Sequence, residues 1–103
     1  MTGAYGEVVA SHLPHQGVTT SRMFGTDCLK ISGKVFAMHF KGALVVKLPA
    51  ARVAEVTALG ATIFDPGHGR PMKEWVSISP ALPFDWLDLT IEARNYVSAS
   101  TRR

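Results

Sequence analysis

Cysteine occurs once, at Cys28, so the chain can close no internal disulfide and can assemble no zinc cluster of cysteines. Long apolar runs are missing as well. No stretch approaches the ~18 residues of a membrane span, and the opening MTGAYGEVVASHLPHQ lacks the cationic start and apolar run of a signal sequence. An excess of one charge is also lacking: the formal net charge is +3, and Arg102 and Arg103 supply two of those charges. No G-x-S-x-G elbow, GK[ST] phosphate loop or dinucleotide fingerprint occurs. These absences lead us to expect a soluble, cytoplasmic protein with no membrane attachment, no cofactor and no metal.

What is present suits one compact core. The chain has 103 residues, 47% of them hydrophobic, which is enough for a single domain over residues 1–103 without covalent staples. Tyr5, Val8, Val9, His12 and Leu13 recur on one helical face until Pro14 stops the pattern. From Thr20 to Leu48 the pattern changes to short β-type runs, SRMF, CLKIS, VFAMHF and ALVVKL. Ser32-Gly33 and Lys41-Gly42 stand where tight hairpins need residues that tolerate positive φ, so an antiparallel meander is expected.

Strict alternation in those strands puts Phe36, Met38 and Phe40 on one side with Leu44, Val46 and Leu48. It leaves a smaller, more polar side of Val35, Ala37, His39, Ala43, Val45 and Lys47. Pro49 at the first helical position and Gly60 just past the end bracket AARVAEVTAL as a helix. ATIFD and MKEWVSIS then read as strands. Asp85 is a good N-cap for a last helix that buries Trp86, Leu89, Ala93, Tyr96 and Val97. The predicted fold is α+β, an antiparallel sheet with helices packed mainly on one face, in the order α-β-β-β-β-α-β-β-α.

Between the last two strands lies FDPGHGRPMKEW, Phe64 to Trp75, which packs glycines, prolines, a His, an Arg and a Lys between apolar runs. Together with RMFG at Arg22 to Gly25, GKVFAM at Gly33 to Met38, LVVKLP at Leu44 to Pro49 and the isolated Gly60, it resembles the TfoX N-terminal domain family, named for regulators of bacterial natural competence. The resemblance spans nearly the whole chain, with the elements in the family's order and spacing. It implies the α+β fold already reached from periodicity, and it brings no catalytic residues to carry over. The family often has a second glycine after MFG, where this chain has Thr26-Asp27-Cys28.

The candidate ligand or partner residues are His68, Arg70, Lys73, Trp75, Arg22 and Lys47. A Gly-rich turn exposes backbone N–H groups while His68, Arg70 and Lys73 face outward, a way of holding phosphate or carboxylate. The plainer reading is a tight connection whose Gly and Pro serve backbone geometry. Trp75 offers a large rigid surface to a partner, or else packs as half-buried core. His12, His15, His39 and His68 form no metal motif, and Cys28 reads as a buried, inert thiol.

The expected function is a non-catalytic regulatory or protein-interaction module with an unidentified protein partner, homodimeric through the sheet's second face or an edge strand. The alternatives are an anion or small-ligand site, or an uncharacterised enzyme, built on the loop, and weak binding of nucleic acid. The dispersed Lys and Arg residues argue against strong nucleic-acid binding.

Overall fold

A computed structural model describes residues 3–23, 26–64 and 74–101. The elements follow in the expected order: α1 (Gly3–His12), β1 (Val18–Met23), β2 (Thr26–Ile31), β3 (Lys34–Phe40), β4 (Ala43–Lys47), α2 (Ala50–Ala58), β5 (Thr62–Ile63), β6 (Trp75–Ile78) and α3 (Trp86–Thr101). The strands form one antiparallel sheet in the order β1-β2-β3-β4-β6-β5. Among the described residues no helix is long and apolar enough to cross a membrane.

Local chemistry sets most of the boundaries. Ser32 and Gly33 have φ of 52° and 83°, and Lys41 and Gly42 have 51° and 81°. Both hairpins therefore turn on two left-handed residues, the geometry whose twist matches the flanking strands. Pro49 sits just before α2 as its N-cap residue, one place earlier than the first helical position. At the other end of α2, Gly60 N–H donates to the Thr57 carbonyl and Ala61 N–H to the Val56 carbonyl, a Schellman closure with Gly60 at φ 116°. Asp85 Oδ1 accepts the Leu87 N–H at 2.9 Å and caps α3.

The helices cover one face of the sheet. α3 lies across β2, β3 and β4, α1 packs against α3, and α2 rests on β5 and β6. Leu29, Phe36, Leu44, Val46, Val76 and Ile78 are fully buried beneath them. Each such side chain contributes about 1.5–3 kcal/mol by leaving water. A bidentate contact, Arg52 Nε to Glu92 Oε1 at 2.9 Å and Arg52 Nη2 to Glu92 Oε2 at 3.2 Å, ties α2 to α3.

Strict alternation fails in β3. Leu29 opposes Ala37 but Lys30 opposes Val35, so Phe36 is an extra residue in a β-bulge. Phe36 and Ala37 both join the helix-covered core, and the parity of every later residue inverts. Met38 pairs with Val45 and Phe40 with Ala43, while His39 pairs with Leu44. The second face is therefore neither small nor polar. Cys28, Met38, Val45 and Phe64 are buried there, with Val35, Phe40 and Trp75 packed beside them.

Candidate functional site

Of the residues nominated from sequence, His68, Arg70 and Lys73 lie outside the described residues. Trp75 and Lys47 are direct cross-strand neighbours on the second face. Trp75 is half-buried against the Cys28–Met38–Val45 cluster, a packing role. Lys47 Nζ stands 4.0 Å from Glu74 Oε1, and Glu74 Oε2 accepts the Tyr96 hydroxyl at 2.8 Å. That bond holds the Tyr96 phenol above its ordinary pKa.

Arg22 belongs to a different part of the molecule. Its strand is three places from β4 in the sheet, roughly 14 Å at the usual strand spacing of about 4.8 Å. It also faces the helix side, whereas Lys47 faces away from it. The structure therefore does not bring Arg22 and Lys47 together.

Arg22 instead stands at the mouth of a cleft of about 400 Å³ between α1 and the β1–β2 pair. Its walls are Tyr5, Gly6 and Val9 from the helix and Thr20, Arg22 and Asp27 from the strands. Arg22 Nε and Asp27 Oδ1 are 3.1 Å apart, with side chains 73% and 60% exposed. The Tyr5 hydroxyl donates to the Asp27 carbonyl at 3.4 Å. Burial, reinforced by the nearby Cys28 and Asp27, pushes the Tyr5 phenol up, so it remains a protonated donor. Burial also pushes the Cys28 thiol up, which makes it a poor nucleophile. On its other side Tyr5 stacks on His39 at 4.8 Å, and His39 meets the edge of Trp86 at 6.1 Å, so this wall is anchored to β3 and α3.

The two outer strands are built differently. β5 is only two residues long, whereas β1 runs for six and has β2 as its one hydrogen-bonded neighbour among the described residues. Its sequence VTTSRM contains no Pro and no Lys, and Thr19, Thr20 and Arg22 are exposed.

Sequence reasoning missed the cleft. Tyr5 read as helix core, and Gly6 and Asp27 carried no site signal beyond an unexplained glycine within a helical pattern. It also missed a polar network between α1 and α3. His12 is fully buried, its Nε2 lies 2.7 Å from Thr90 Oγ1, and Arg94 Nη1 approaches its Nδ1 at 3.1 Å. Among the described residues no three His, Cys, Asp or Glu side chains gather as a metal site.

Comparison with family models, with curated proteins and with solved structures finds no match for this chain.

Proposed function

We propose that this protein is a non-catalytic regulatory or protein-interaction module, similar to the TfoX N-terminal domain, that works as a homodimer joined through the β1 edge. One contrast carries the reading. The β5 edge is cut to two residues, while β1 offers a six-residue edge without Pro, whose one charged residue, Arg22, is paired with Asp27. An open edge presents unpaired N–H and C=O groups, and proteins that do not use such an edge blunt it with short strands, charge, proline or bulges. The second route to a dimer, the far face of the sheet, has its centre filled by Cys28, Met38, Val45 and Phe64.

A two-fold axis perpendicular to the sheet at Thr20 pairs β1 with its copy in antiparallel fashion and keeps both helix layers on one side. Threonines then face one another across the joint, a favourable cross-strand pair. Size-exclusion chromatography with light scattering tests this over a range of concentrations. The wild type should show the dimer mass, and Thr19→Lys combined with Thr20→Lys should give a monomer with an unchanged circular dichroism spectrum. A wild type that remains monomeric at every concentration refutes the homodimer. A double variant that remains dimeric refutes the β1 edge.

A further inference from the structure

Beyond that reading, and from other observations although Thr20 and Arg22 also belong to β1, we propose that the cleft between α1 and the β1–β2 pair binds a small zwitterion with an apolar body, the class of free hydrophobic α-amino acids. Three features point there. The first is size: about 400 Å³ accommodates a molecule of this kind, with Val9 and the ring of Tyr5 as an apolar wall.

The second is Gly6. It lies inside α1, where a glycine costs about 1 kcal/mol relative to alanine. Gly6 is one of the residues that line the cleft, beside Tyr5 and Val9. The helix thus carries a poor helix former at one of the positions that line the cleft.

The third is charge. Arg22 and Asp27 stand together at the mouth, so a simple anion would face Asp27 and a simple cation would face Arg22. A zwitterion meets both. Its carboxylate takes the Arg22 guanidinium, its ammonium takes the Asp27 carboxylate, and one intramolecular pair is exchanged for two intermolecular ones. Opening the pair costs little, because both side chains are mostly exposed and such a pair contributes little on its own. The ligand's side chain then lies along Val9 and Tyr5.

Heteronuclear NMR titration of the intact protein tests the assignment, with L-leucine and L-phenylalanine as probes and N-acetyl-leucine and leucinamide as singly charged controls. The free amino acids should give saturable shifts of the Tyr5, Gly6, Thr20 and Asp27 amides at millimolar concentration. Each blocked analogue should bind about tenfold more weakly. Arg22→Gln and Asp27→Asn, both exposed and tolerant of change, should weaken the free amino acids to a similar degree, and Gly6→Leu should abolish the shifts. An absence of cleft shifts overturns the proposal, as does equal binding of the blocked analogues or unchanged affinity in Arg22→Gln. The Tyr5, Gly6 and Asp27 amides, on α1 and β2, read the cleft apart from the proposed joint at Thr20, and the oligomeric state is measured separately.

Discussion

His12 Nε2 lies 2.7 Å from Thr90 Oγ1, a contact between residues 78 positions apart that pins the end of α1 to α3. The network assigns the protons. The Thr90 hydroxyl donates to the Leu87 carbonyl at 2.8 Å, so it must accept from His12 Nε2–H, and Nδ1 is left to accept from Arg94 Nη1. The ring is neutral in this arrangement, and a second proton would break the Arg94 contact. Burial first, then the Arg94 and His15 charges, bring the His12 pKa down from 6.5 to about 4.

The pH dependence follows from that depression. Between pH 6.5 and 4 the unfolded chain takes up the proton that the folded chain refuses. The contribution of His12 is complete above the upper value and is lost as pH falls through the lower one. The loss amounts to roughly 3 kcal/mol at about 1.36 kcal/mol per pKa unit. Urea unfolding over this range should show the slope in the wild type and not in His12→Leu. Parallel stability curves for the two proteins would show that another group carries the acid sensitivity.

Gly60→Ala should destabilise the fold by about 1–2 kcal/mol, since φ there is 116° and an L side chain is strained in that region. A Cβ at this position would also come within 2.8 Å of Leu82 Cδ2. That atom ends a flexible side chain and can yield, so the backbone term should dominate. Adding Leu82→Ala to Gly60→Ala should therefore leave most of the loss in place, as thermal unfolding would show. Full recovery would instead identify the side-chain contact as the cause.

The readable parts of this fold were those decided locally. Ser32-Gly33, Lys41-Gly42, Gly60 and Asp85 each do what their own backbone or capping chemistry demands, and all four can be placed from the sequence. The face assignment in β3 was not local. Counting alternate residues assumes that no residue is inserted, and Phe36 is inserted, which exchanges the environments of Met38 and His39. His12 looked like an ordinary member of an apolar helical face, because its partners Thr90 and Arg94 lie on the last helix. The cleft was hidden for the same reason: α1 and the β1–β2 pair meet only in the folded chain. Of the candidate residues, Trp75 and Lys47 proved to be neighbours and Arg22 stood apart, whereas His68, Arg70 and Lys73 fall outside the described residues.

The joint between α2 and α3 should be sensitive to salt. Arg52 holds Glu92 through two hydrogen bonds and also reaches Glu55 at 2.9 Å, with the Arg52 side chain 34% exposed. Fork geometry and partial burial place the Arg52–Glu92 pair near the upper end of surface pairs, at about 1 kcal/mol. A double-mutant cycle with Arg52→Gln and Glu92→Gln should return a coupling of that size at low salt and less at high salt. Glu55→Gln should cost below ~0.5 kcal/mol, because that pair is exposed and lies within one helix. Equal coupling for Glu55 and Glu92 would mean that the second hydrogen bond adds nothing.

Cys28 offers a probe of how the sheet opens. The thiol is 1% exposed and its pKa is raised by burial, so a thiol reagent must wait for the structure to part. β2 lies next to the outer strand, and if β1 peeled away alone the thiol would label with little dependence on urea. Its burial, however, depends on Met38, Val45 and Phe64 on the second face, and these come from β3, β4 and the residue that follows β5. Labelling should therefore follow global unfolding, about a thousandfold or more slower than in the unfolded chain and with a urea slope close to the equilibrium one. A shallow slope would show that β1 and β2 open as a unit of their own, and the outer strand would then be too loose to hold a second copy in register.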